Sequence, residues 1–170
     1  IIGMSELALE TNLDEKQNNY VSKVHKSAKS LLGIINDILD FSKIEAGKLN
    51  MEKIEFHLED VLDELATLLS YKSEEKSLEL LFDIPSKLPH TLIGDPLRLG
   101  QVLINLGNNA IKFTESGEVI VAVKVLQVNS ERIQLEFKVI DTGIGIEKEK
   151  IETLFQSFTQ ADASTTRRFG

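Results

Sequence analysis

The sequence predicts an α+β fold in two parts: a helical hairpin that pairs with a second copy into a four-helix bundle, then a two-layer domain of helices on a largely antiparallel sheet. Three observations predict it. Val21, Val24, Ala28, Leu31, Ile35 and Ile38 recur at alternating spacings of three and four, the seam of a helix that packs on other helices. Beyond residue 47 the pattern changes to short strand-like runs mixed with helical stripes. Two long alternating segments, GEVIVAVKVLQV and RIQLEFKVID, then stand either side of NSE, the arrangement of a hairpin.

Taken in order, residues 1–10 read as the end of a preceding helix, and TNLDEK as a turn in which Asp14 caps the next one. Leu32, Ile34, Leu39 and Phe41 widen the stripe of that second helix beyond what a two-stranded coiled coil uses. One hairpin has too little surface to bury so wide a stripe, and a second copy of the chain is the simplest source of the missing helices; the alternative is that the hairpin packs on the rest of its own chain, since an apolar stripe does not name its partner. EAGKLN carries the one glycine between Gly33 and Gly94 and ends the long helix, so the parts are expected to span residues 1–46 and 47–170.

In the second part, KIEFHLEDVLDELATLLSYKSEEK reads as a short strand and a helix with Val61, Leu62, Leu65, Leu68 and Leu69 on one face. LELLFDI is a strand closed by Pro85 and Pro89. GDPLRLGQVLINLGNNAIKF is a helix capped by Asp95, with Pro96 at the first position, where a missing N–H does no harm.

The bulk numbers exclude several functions. A net charge of −8 would repel nucleic-acid phosphates. With no cysteine there is neither a disulfide framework nor a thiolate zinc site. No apolar run approaches the ~20 residues that cross a bilayer. Both ends read as cut, the first on an apolar stripe without a cap and the last within a polar stretch.

Two groups of residues suggest chemistry. Asn105, Asn109 and Lys112 project from one face of a helix, and asparagine is a poor helix former. Their amide oxygens suit a hard cation such as Mg²⁺, and the lysine suits the phosphates such an ion carries; alternatively the amides cap or bridge other elements. VIDTGIGI puts Asp141, Gly143 and Gly145 at a strand tip, where the carboxylate offers an acceptor to an amino-bearing ring or bonds its own backbone in a turn. Together the groups meet the needs of a nucleotide pocket, with the spacing of neither a Walker loop nor a dinucleotide fingerprint.

GDPLRLGQVLINLGNNAIKFT, VIDTGIGI and LFQSFTQAD resemble, in order, the asparagine box, first glycine-rich box and phenylalanine box of sensor histidine kinases, most closely the hybrid type. IIGMSELALE and LLGIINDILDFSKIEAGKLN resemble the dimerisation helices of that family. The resemblance implies a two-layer α/β sandwich of the histidine-kinase and Hsp90-like ATPase type after the hairpin. It implies ATP and Mg²⁺ as ligands, with Asn109 on Mg²⁺, Asn105 assisting at metal or phosphates, Lys112 on a phosphate, and Asp141 accepting from the adenine amino group. Gly143 and Gly145 would let the backbone close over the base; Phe155 and Phe158 would border a lid beginning in residues 159–170. For that aromatic pair a helix end burying two rings serves equally well.

The implied reaction is transfer of the ATP γ-phosphoryl group to a histidine, then to an aspartate of a response-regulator receiver domain, in the cytoplasmic part of a bacterial membrane-bound sensor. The family's phosphoacceptor box would precede residue 1, so no catalytic residue is expected in this sequence; the second glycine-rich box would follow residue 170. Of the three histidines, His25 is expected on an exposed flank, His57 at a helix start and His90 in a loop. The rival readings are another ATPase of the same superfamily, or a dimerisation and docking scaffold with a relic pocket.

Overall fold

In the computed structural model, which describes residues 1–129 and 132–151, the chain divides into two units, Ile1–Met51 and Glu52–Gly170. The first is a hairpin of α1 (Ile2–Leu9) and α2 (Glu15–Glu45). Asp14 opens α2 with a capping box: its carboxylate accepts from the Gln17 amide at 2.8 Å, and Gln17 Oε1 accepts from the Asp14 amide at 3.1 Å. At the other end Lys48 N–H bonds to Lys43 O and Gly47 N–H to Ile44 O, the closure that ends a helix at a left-handed residue; Gly47 has φ +64°.

The seam separates into two classes of position. Val21 and Ala28 are half-buried, whereas Val24, Leu31, Ile35 and Ile38 remain 45–57% exposed, as do Leu32, Ile34 and Leu39 around them. His25 departs from its expected exposed flank. It is half-buried, and its Nδ1 lies 2.9 Å from Oγ of Ser5, a buried serine that also donates to the Ile1 and Ile2 carbonyls. The small serine lets the imidazole approach α1, so His25 joins the two helices.

The second unit runs β1 (Ile54–His57), α3 (Leu58–Glu75), β2 (Glu79–Asp83), β3 (Thr91–Gly94), α4 (Pro96–Phe113), β4 (Glu118–Val128), β5 (Ile133–Asp141) and α5 (Lys148–Ile151). β4 and β5 pair antiparallel as the hairpin expected from their alternation. The strands are largely antiparallel, as expected: among the described residues β1 also pairs antiparallel with β3, in a separate two-stranded ribbon, and only β2 joins its neighbour, β4, in parallel. β3 was not expected, because its four residues carry too short a pattern to read; pairing with β1 makes the strand.

Alternation sorts the strands. Val119, Val121 and Val123 of β4 are buried against Leu58, Leu62, Leu65 and Leu69 of α3 and Leu103, Ala110 and Ile111 of α4, which closes the helical layer on the sheet. Leu68, expected on the same face of α3, is instead 45% exposed. Gly107 permits the close approach of the two helices: a Cβ there would lie 2.5 Å from Leu69 Cδ1, and Leu69 has no exposed surface into which to retreat.

Two opposing terms act on Gly107→Ala. Helix propensity favours alanine by about 1 kcal/mol, and overpacking costs about 1–3 kcal/mol. Because Leu69 is boxed in, the expected result is a net loss of about 1 kcal/mol in urea unfolding; a gain would show that the helices separate freely.

Candidate functional site

Asp95 launches the helix that carries the site. Its Oδ1 accepts from the Arg98 amide at 3.0 Å and its Oδ2 from the Glu52 amide at 3.1 Å, so one carboxylate caps α4 and ties down the first residue of the unit. Those bonds, the Arg98 amide first and the Glu52 amide second, hold the Asp95 carboxyl below its ordinary pKa, because both favour the ionised form.

Along α4, Asn105, Asn109 and Lys112 are all exposed. Neither asparagine side chain has a hydrogen-bond partner among the described residues, so the capping or bridging alternative has no support there. The neighbouring Asn108 behaves differently: its Oδ1 accepts from Lys72 Nζ of α3 at 2.6 Å. Lys112 reaches back over the Phe113 ring, 5.5 Å from its centroid.

The end of β5 meets the end of α4. The Ile144 amide donates to Phe113 O at 3.3 Å, and Gly143 lies so close to the helix end that a Cβ would fall 2.6 Å from Phe113 O and 2.9 Å from Thr114 Oγ1. Gly143 is therefore required by contact. Gly145, with φ +69° and open space around it, is required by its dihedral instead.

Asp141 shows the turn read as its alternative: Oδ1 accepts from the Gly143 amide at 2.9 Å. That bond uses one oxygen, and Oδ2 has no partner among the described residues, so the turn orients the carboxylate without consuming it. Thr142 anchors the tip from the other side, its Oγ1 accepting from the Glu118 amide at 3.0 Å and its own amide donating to Glu118 O at 3.3 Å.

The sequence reading singles out neither Thr114 nor Thr142, yet both build the junction. Thr114 is fully buried and its hydroxyl donates to Ala110 O at 2.7 Å. A polar residue at the end of an apolar stripe was the available signal for the first; for the second there was none beyond its place between Asp141 and Gly143. Phe155 and Phe158, with residues 159–170, lie outside the described residues.

Among the described residues no three His, Cys, Asp or Glu side chains gather into a metal cluster. Two neutral amides with free oxygens fit Mg²⁺ that arrives with phosphates and keeps much of its water, and they do not make an all-protein cage. Of the histidines, His57 ends β1 with Nδ1 2.8 Å from His90 O, and His90 lies 3.8 Å from Glu59, both side chains largely in solvent.

Comparison with known proteins gives two family matches. Residues 1–47 match the His Kinase A (phospho-acceptor) domain, and residues 94–170 match the histidine kinase-, DNA gyrase B- and HSP90-like ATPase. Over its whole length the chain is 48% identical to signal transduction histidine-protein kinase BarA of Escherichia coli (strain K12), covering 18% of that protein. It is 44% identical to sensor histidine kinase GacS of Pseudomonas protegens, again over 18% of the relative, and 41% identical to hybrid signal transduction histidine kinase L of Dictyostelium discoideum, over 10%. The chain thus spans less than a fifth of these relatives.

Among solved structures, full-length ShkA in complex with AMPPNP superposes with a TM-score of 0.75 at 32% identity, covering 95% of this chain and 34% of that one. Acinetobacter baumannii histidine kinase AdeS, at 22% identity and a TM-score of 0.65, shares the fold over 91% of this chain and 75% of its own.

The Asp95 cap makes a pH-dependent contribution. A carboxylate whose folded pKa is lowered stabilises fully above its unfolded value of about 3.9 and loses that contribution as pH falls through the folded value. Asp95→Ala is expected to lower the melting temperature by a constant amount between neutral pH and about pH 5, with the gap to the unsubstituted chain closing below about pH 4; a gap independent of pH would exclude the carboxylate as its source.

Proposed function

The chain belongs to the sensor histidine kinases, and from that premise we propose that residues 47–170 bind Mg²⁺–ATP and residues 1–46 form the dimerisation hairpin of a two-component kinase core. The observation that carries the nucleotide reading is the junction of β5 with α4. By the Ile144–Phe113 bond and the Gly143 contact, the acceptor at Asp141 is tied to the helix that bears Asn105, Asn109 and Lys112.

In this reading Asp141 keeps Oδ1 on the Gly143 amide and offers Oδ2 to the exocyclic amino group of adenine. A base with a carbonyl at that place would meet a second acceptor and be refused. Lys112 leaves its ring contact to meet a phosphate, while the free amide oxygens of Asn109 and Asn105 hold the ion that accompanies the triphosphate. Bound Mg²⁺ would offset phosphate charge as the γ-phosphoryl group is transferred. Phe155 and Phe158 would border the lid.

On this reading the acceptor of the phosphoryl group is a histidine, and none of His25, His57 and His90 takes that part. His25 is engaged with Ser5, and His57 with the His90 carbonyl. The phosphoryl group then passes to an aspartate of a receiver domain. The hairpin dimerises through Val24, Leu31, Ile35 and Ile38, whose exposure within their own unit leaves a continuous apolar strip for a second copy. The protein works in the cytoplasm as part of a bacterial membrane-bound sensor; among the described residues no helix is long and apolar enough to cross a membrane.

Calorimetric titration with Mg²⁺–ATP tests the pocket. The unsubstituted chain is expected to bind, and Asp141→Ala to weaken binding about tenfold or more, the worth of a charge-assisted hydrogen bond. Equal affinities would remove Asp141 from the pocket, and no binding by either protein would favour the scaffold.

The dimer has its own test in sedimentation. The unsubstituted chain should run as a dimer, and Ile35→Glu, which places a charge in the strip, as a monomer with unchanged helix content; a dimer that survives Ile35→Glu would move the interface elsewhere.

A further inference from the structure

Lys76 belongs to none of the sequence motifs, yet its ammonium ends in the last turn of α4. α3 stops at Glu75, and Ser77 then takes φ +54°, a left-handed conformation that few non-glycine residues adopt. The turn is closed by the Ser77 amide on Glu74 O at 3.0 Å and the Leu78 amide on Ser73 O at 2.9 Å. From this turn the Lys76 side chain crosses to α4, where Nζ donates to the carbonyl oxygens of Ile111 at 2.7 Å, Lys112 at 2.8 Å and Thr114 at 3.2 Å. An ammonium has three protons, and here each has a separate carbonyl.

The remaining carbonyls at this helix end are also matched. Ala110 O accepts from both the amide and the hydroxyl of Thr114, and Phe113 O accepts from the Ile144 amide. Lys76 thus supplies three of the donors that fix the turn from which Lys112 projects and against which Gly143 rests. It also brings positive charge to the end of a helix whose dipole is negative there, the opposite of the helix N-termini that hold phosphate groups.

We infer that Lys76 is a positioning residue for the nucleotide. It acts through the last turn of α4, keeping Lys112 and the Asp141–Gly143 tip in register and offsetting the negative helix end near the phosphates. The inference rests on the nucleotide-binding reading above, and the test separates the two.

Lys76→Met and Lys76→Arg are compared in the whole chain with Leu58→Ala, which weakens the core at the far end of α3. Two readouts are taken: amide exchange at Ile144 without nucleotide, by NMR, and Mg²⁺–ATP affinity by calorimetry. Lys76→Met is expected to accelerate Ile144 exchange and weaken Mg²⁺–ATP about tenfold, the effect of one to two lost hydrogen bonds. Lys76→Arg keeps charge and donors and should restore most of both. Leu58→Ala should lower the melting temperature while leaving affinity close to that of the unsubstituted chain. The inference is overturned by unchanged Ile144 exchange in Lys76→Met, or by Leu58→Ala weakening binding as much as Lys76→Met does. Should the unsubstituted chain not bind Mg²⁺–ATP, the nucleotide reading fails, and Ile144 exchange alone decides whether Lys76 holds the junction.

Discussion

A helix that stops leaves its last carbonyls without partners, and the candidate site depends on how α4 finds donors for them. The helix ends at Phe113 beside a fully buried Thr114, so solvent cannot serve every group. Donors come from three directions: Thr114 bonds back to Ala110, the Lys76 ammonium crosses from the end of α3, and the Ile144 amide arrives from the end of β5. Satisfying backbone polarity therefore draws three distant stretches of sequence to one point. The side chains proposed to meet the nucleotide are those carried by the segments so joined.

Local signals in the sequence were readable where one residue type does one job. Asp14 and Asp95 cap the helices they precede, and Pro96 sits where no amide is needed. The hairpin of β4 and β5 follows from alternation over two long segments, which turns Val119, Val121 and Val123 to the core. What escaped reading required a partner distant in sequence. β3 is a strand because β1 lies beside it, and His25 leaves the flank because α1 places Ser5 against it. Lys76 looks like any charge in YKSEEK until the left-handed turn at Ser77 aims it at α4. Gly143 shows a subtler gap: the expectation was freedom of the backbone, whereas the structure requires the absence of a side chain.

The first unit poses a different physical problem. Its two helices meet through a short α1 that covers only part of α2, and one polar contact, Ser5 with His25, fixes their register on one side. Val21 and Ala28 find some shelter, while Val24, Leu31, Ile35 and Ile38 stay exposed along the rest of the seam. A hydrophobic row of that length on a 31-residue helix favours an elongated apolar partner, and a second copy presents the same row by symmetry. The proposal of a four-helix bundle thus follows from what one hairpin cannot bury.

Electrostatics gives the last constraint on the nucleotide reading. A chain of net charge −8 repels a triphosphate at long range, and the C-terminal half of a helix adds a local negative field. Sites that hold phosphates on helix N-termini receive their positive field from the backbone; a site along the later turns of α4 must receive it from side chains and a metal ion. The cations are placed accordingly: Lys112 on the helix itself, Lys76 on its terminal carbonyls, and Lys72 on Asn108. Two of the three come from α3 and the turn that ends it, although the asparagines and Lys112 belong to α4. The close approach that Gly107 permits between those helices is thus as much a condition of the site's charge balance as of its packing.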